Sequence, residues 1–353
     1  MISILVVMCL QFLLKVKGLY DMDNEHCISV PYWQCKDDFS GLVEDGEGLM
    51  DVRRTSYVEK MPLLSNDFDV CCPVECGNRK MLTHDIMAAK NYEEEIFGFR
   101  ILGDNNAAEF GEFPWMLGIL EGRTYRCGGS LVHPQVAITA AHCVNKESRY
   151  KIRAGEWNWE TSMEPIPHQD RLVKKIIVHP NFHPQTLQND IAIVILERPF
   201  MLRENVGIMC LPYPGIKYER RRCVVAGWGR NSHKKGTYQA TLKRMELPIL
   251  TKDACVKTLQ DVKFGRSFRL HKSFLCAGGE GKKDTCKGDG GSPLMCPIVN
   301  RPGKYQQVGI VSWGLTCGVA NTPGVYVNIE IFLDWIDDVL ESYGFDTTVY
   351  KYR

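Results

Sequence analysis

Three short segments hold the residue types from which nucleophilic catalysis is built. Ile138-Thr139-Ala140-Ala141-His142-Cys143 ends a small apolar run in a histidine beside a cysteine. Asn189-Asp190-Ile191-Ala192 sets an aspartate at the entrance of an apolar run, and Gly288-Asp289-Gly290-Gly291-Ser292-Pro293 places a serine in a glycine-rich turn. An imidazole can take a proton from a hydroxyl, a carboxylate can fix the tautomer of that imidazole, and backbone N–H groups can hold a developing oxyanion. Found singly, each segment is more often structural than catalytic, so their meaning depends on what brings them together. Other chemistries are poorly represented. His179 and His183 have metal-like spacing, but Pro180 and Pro184 forbid the helix that would put both rings on one face. No phosphate loop or dinucleotide fingerprint is present, and no cofactor is expected.

The elements that must position these residues are short strands. From Ile101 onward, short apolar runs alternate with Gly, Pro and Asn clusters: Trp115–Leu120, Val136–Thr139, Ile176–Val178, Ile191–Leu196, Val224–Trp228, Val308–Trp313 and Gly324–Val327. That texture predicts an all-β barrel or sandwich. One exception closes the domain, where Phe332, Trp335, Ile336, Val339 and Leu340 follow the spacing of an amphipathic helix. Residues 344–353 read as a frayed tail.

The chain has 353 residues, with 43 basic against 42 acidic side chains and a formal charge of +1. Neither nucleic-acid nor membrane electrostatics follow from that balance. The 15 cysteines are the departure from ordinary composition. Ile2 to Leu14 is almost uninterrupted apolar sequence, too short for the roughly 20 residues of a membrane span, and Val16 and Gly18 fit signal cleavage after Gly18. Residues 1–18 are therefore expected to be removed with Cys9. Fourteen cysteines remain, and an even number in an oxidising compartment implies seven disulfides in a secreted protein. Neither Asn231-Ser232-His233 nor Asn321-Thr322-Pro323 makes a glycosylation acceptor. Residues 77 to 100, with the triplet Glu93-Glu94-Glu95 and no packing periodicity, read as linker. Arg220-Arg221-Arg222 and Lys282-Lys283 read as solvated surface charge.

Taken in order, the three segments resemble those of trypsin-like serine proteases, over about Ile101 to Tyr343. The resemblance implies a chymotrypsin-like double six-stranded β-barrel, with the cleft between the barrels. On it, His142 is the base, Asp190 fixes its tautomer, and the N–H groups of Gly288 and Gly290 form the oxyanion hole. The place of the nucleophile is taken by Gly290, which has no side chain. Ser292 stands two positions further on, too displaced to aim its Oγ at the same base. Asp284 matches the floor of a pocket for Lys or Arg, with Ser312, Trp313, Gly314 and Gly324 as its walls. Arg100-Ile101 matches the activation bond, whose new amine would pair with Asp289; Asp104 replaces the second glycine usual there.

The same resemblance implies the pairs Cys127–Cys143, Cys223–Cys296, Cys255–Cys276 and Cys286–Cys317, and a tether from Cys76 to Cys210. Cys27, Cys35, Cys71 and Cys72 remain, in a segment similar to the clip domain found ahead of arthropod haemolymph proteases and their inactive homologues. Four cysteines where six are usual imply a reduced clip of two bridges over residues 27–72, their order open; adjacent Cys71 and Cys72 do not suit a zinc site. Residues 73–100 then form the linker, and 101–343 the protease-like domain. The function so implied is a secreted, non-catalytic homologue acting as a binding cofactor in an extracellular cascade, specifically prophenoloxidase activation. Its implied partners are an upstream trypsin-like clip protease and prophenoloxidase, with oligomerisation after processing. Two rivals are an endopeptidase using Ser292 and an adhesive protein on the same scaffold.

Overall fold

The computed structural model describes residues 27–31, 69–79, 106–145, 147–161, 163–229, 238–280, 289–315 and 321–352. The proposed signal peptide, Cys35, Arg100, Ile101, Asp284, Cys286, Gly288 and Cys317 lie outside them. The chain divides into two units. In the first, β1 (Cys27–Pro31) and β2 (Asp69–Pro73) form an antiparallel pair that sets Ile28 opposite Cys72 and Ser29 opposite Cys71.

In the second unit the apolar runs pair as antiparallel strands. β3 (Met116–Glu121), β4 (Thr124–His133), β5 (Val136–Thr139), β6 (Tyr150–Ala154), β7 (Gln169–Val178) and β8 (Ala192–Leu196) close a barrel in the order β3-β4-β5-β8-β7-β6. The six following strands are β9 (Arg222–Gly227), β10 (Lys243–Pro248), β11 (Phe274–Gly278), β12 (Pro293–Pro297), β13 (Tyr305–Trp313) and β14 (Pro323–Asn328). They form a sheet in the order β10-β9-β12-β13-β14-β11. Its two edges meet through a single bridge, Ile249 to Ala277, and not through a full ladder. β10 ends at Pro248, which has no N–H to extend the pairing. The expected pair of barrels is thus one closed barrel and one half-barrel.

β5 and β8 are buried at every position and read in sequence as apolar runs. β7 and β10 alternate partly buried and exposed residues, which hides them among charged side chains. Between β10 and β11 lies α1 (Lys252–Leu259), capped by Thr251, whose Oγ1 accepts the N–H of Ala254 at 3.3 Å. The predicted closing helix is α2 (Leu333–Ser342), which buries Leu333, Ile336 and Leu340.

The tail is not frayed. Val349 and Tyr350 are each 1 % exposed, the Tyr350 carbonyl accepts the N–H of Leu211 at 2.9 Å, and the Tyr350 hydroxyl donates to Asp337 on α2. Phe345 packs against His133 at the end of β4, with ring centroids 4.8 Å apart. Three apolar side chains without helical or strand spacing were enough to dock the segment, and no periodicity announced it.

Among the described residues of this unit four disulfides close: Cys76–Cys210, Cys127–Cys143, Cys223–Cys296 and Cys255–Cys276. Each is a pair that the resemblance implies. Around Cys76 the chain is also held by backbone bonds, Gly77 N–H to the Ile208 carbonyl and Tyr305 N–H to the Gly77 carbonyl. Arg79 then pairs with Glu112, which is 1 % exposed, and lies over the rings of Phe113 and Tyr305.

Candidate functional site

β5 ends at Thr139, and a single 3-10 turn, Ala141–Cys143, carries His142 away from the barrel. Cys143 of that turn is bonded to Cys127 on β4, so the histidine is fixed from one side by a covalent link. Asp190 enters β8 after Asn189, which adopts φ 56°, a left-handed conformation that asparagine tolerates better than most residues. The Asp190 side chain is fully buried and accepts three hydrogen bonds. The His142 N–H donates to Oδ1 at 2.8 Å, the Ser312 hydroxyl donates to Oδ2 at 2.6 Å, and His142 Nδ1 lies 2.7 Å from Oδ2. A carboxylate so surrounded takes its third bond from a protonated Nδ1. Nε2 is then the lone-pair nitrogen of the neutral ring, and it faces the glycine turn.

At that turn the structure brings Gly290 against the imidazole. A Cβ at position 290 would sit 2.8 Å from His142 Nε2 and 3.3 Å from Cε1, closer than real Cβ contacts come. The ring therefore stands where a side chain at 290 would crowd it. Ser292 lies elsewhere: it is fully buried, and its Oγ has no hydrogen-bond partner. Its hydroxyl fills the space beside Gly128 on β4, where a Cβ would come within 2.1 Å of it. A buried hydroxyl against a strand backbone cannot meet a substrate carbonyl.

Asp289 turns its carboxylate inward and accepts the Gly229 N–H at 2.8 Å. Burial, and then the nearby Asp289 carboxylate, hold the Tyr125 phenol well above its ordinary value. Ser312 and Trp313 end β13, Gly314 follows, and Gly324 lies on the adjacent β14, whose Val325 pairs with Trp313. The resemblance gives Ser312 as a pocket wall; its hydroxyl also donates to Asp190, a contact that sequence spacing does not disclose.

Among the described residues two clusters have metal-like composition. Cys127 and Cys143 beside His142 are already joined as a disulfide, which removes their thiolates. Donor atoms of Glu156, Glu164 and His168 all lie within 4.8 Å of one another. Glu156 bonds Arg153 at 3.0 Å, and Glu164 accepts the N–H groups of Trp157 and Asn158 at 2.8 and 2.9 Å. Burial and then the Glu156 carboxylate push Glu164 up to about 8. His183 Nδ1 accepts the Thr186 N–H while His179 packs on Phe332 and Trp335, so the two histidines have separate structural settings.

The family model described as Trypsin matches residues 102–336. The chain belongs to the trypsin family. Phenoloxidase-activating factor 2 of Galleria mellonella is 46 % identical over 275 residues, covering 73 % of this chain and 91 % of that protein. Inactive CLIP domain-containing serine protease A8 of Anopheles gambiae is 37 % identical over 296 residues, covering 78 % and 80 %. Inactive CLIP domain-containing serine protease A3 of Aedes aegypti is 34 % identical over 347 residues, covering 93 % and 70 %. Within the trypsin family this chain is a clip-domain serine protease homologue.

Proposed function

We propose that this homologue is secreted, cuts no peptide bond, and serves as a binding cofactor in an extracellular protease cascade, the activation of prophenoloxidase. The observation that carries the reading is the glycine that faces the base. His142 keeps its proton on Nδ1 through Asp190, but its Nε2 meets Gly290 and no hydroxyl. Loss of the serine in another Ser-His-Asp enzyme costs on the order of 10⁶ in kcat, which leaves nothing useful for a cascade. Relatives named as inactive proteases and as a phenoloxidase-activating factor support the same assignment. Among the described residues no helix is long and apolar enough to cross a membrane.

In this reading, cleavage after Arg100 would act through conformation, delivering the Ile101 amine toward Asp289. The cleft walls at Ser312, Trp313, Gly314 and Gly324, with Asp284, would receive a basic side chain without cutting beside it. The upstream clip protease and prophenoloxidase are the partners, and processed chains associate. The test adds processed protein to purified upstream protease and prophenoloxidase. Phenoloxidase output is expected to change with its concentration while the homologue alone hydrolyses no Arg-containing peptide. Output indifferent to its presence would remove the cofactor assignment.

A further inference from the structure

α1 and the loop after it concentrate positive charge. Lys252, Lys257, Lys263, Arg266, Arg269 and Lys272 stand against only Asp253 and Asp261, a local charge of +4 in a chain whose total is +1. All eight side chains are exposed, and among the described residues no ion pair engages any of the six cations. Two of the cations, Lys272 and Lys252 at opposite ends of the segment, both act on His271, which they hold below its ordinary value after burial.

The centre of this charged face is apolar. Gln260–Phe264 forms one wide helical turn that ends at Gly265, and Asp261 to Ser267 are exposed without interruption. Val262 is 48 % and Phe264 37 % exposed. Phe264 stacks on Phe268 with centroids 4.6 Å apart, and Lys263 lies over its ring at 5.8 Å. The projection is held rigidly. The Gln260 side-chain amide donates to the carbonyls of Arg266 and Phe268 at 3.1 and 3.0 Å, and the Cys255–Cys276 disulfide anchors α1 to β11. Phe264 also meets Trp313 edge to face at 6.0 Å, so the face is continuous with the end of β13.

We propose that this face docks a protein partner through an acidic segment bearing an aromatic or branched aliphatic side chain. A segment with a net charge of +4 selects an anionic partner and speeds its encounter. A rigid apolar centre inside a charged rim is the arrangement of a peptide contact, in which an inserted side chain covers Val262 and Phe264. A sulfated polysaccharide would satisfy the cations and leave those two side chains in water. The proposal stands on this face alone and does not need the cascade reading.

The test uses the full chain and three fluorescent probes at 150 mM NaCl: a 12-residue Glu/Asp peptide with one central Phe, the same peptide with Gly in its place, and a heparin decasaccharide. The Phe peptide is expected to bind and to lose about tenfold in affinity with Lys263→Ala/Arg266→Ala/Arg269→Ala. Phe264→Ala is expected to weaken the Phe peptide alone, by roughly fivefold, and to leave the Gly peptide unchanged. Melting temperatures matched to the parent establish that the exposed substitutions leave the fold intact. Two results overturn the proposal: Phe-peptide binding that is absent or indifferent to the triple substitution, and heparin binding tighter than either peptide with no effect of Phe264→Ala.

Discussion

Ser292 occupies a fully buried site in which its hydroxyl has no hydrogen-bond partner. An orphaned buried hydroxyl costs free energy, so removing it should help. Ser292→Ala is expected to stabilise the protein by about 1 kcal/mol, a rise of roughly 2–4 °C in Tm for a domain of this size; a fall in Tm would show that the hydroxyl is satisfied. Gly290 poses the opposite problem. Because a Cβ there would lie 2.8 Å from His142 Nε2, Gly290→Ser alone must push the imidazole off its Asp190 hydrogen bonds. The expected result is a loss of about 1–3 kcal/mol, as for other overpacked sites, with no gain of turnover. Restoring Ser at 290 and Gly at 292 together removes the orphaned hydroxyl but keeps the crowding at position 290. Thermal melts of the two variants separate these effects.

The elements show why part of the architecture was legible and part was not. β5 and β8 are buried on both faces, so their composition alone marks them, and the spacing of Ile336 and Leu340 marks α2. β7 carries Asp170, Arg171, Lys174 and Lys175 on a half-solvated ladder, where charge masks alternation. The pairing of His142 with Asp190 followed from motif order, whereas the Ser312 bond to Asp190 depends on how β13 crosses the barrel seam. Packing, and not periodicity, holds the docked tail, so no sequence pattern marks it. That packing carries a pH dependence. His133 accepts the Gln135 N–H at Nδ1 and packs on Phe345, and burial pulls it down to about 4. Above pH 6.5 both folded and unfolded forms are neutral and the group contributes nothing. Between 6.5 and 4 the unfolded chain binds the proton first, so stability falls with pH, by about 2 kcal/mol at pH 5. Glu164, raised to about 8, acts in the opposite sense, so the comparison must be with His133→Gln. The parent should lose about 2 kcal/mol more than that variant between pH 7.5 and 5; equal losses would place the titration elsewhere.

At the scale of the molecule, a disulfide within the second unit joins residues on either side of Arg100 in sequence, so the proposed cleavage after Arg100 would leave the N-terminal part of the chain covalently attached. Cys76–Cys210 spans 134 residues of sequence and is reinforced by Arg79 against Glu112. Processed protein should therefore run as one band without reductant and as two with it; separation without reductant would mean that the tether is not formed. In the function proposed above, a trypsin fold keeps His142 and Asp190 and has Gly290 where the nucleophile would stand. The most direct test of that function is turnover of an Arg-containing chromogenic peptide by processed parent and processed Ser292→Ala side by side. The account predicts no turnover by either protein. Turnover by the parent that Ser292→Ala abolishes would contradict it.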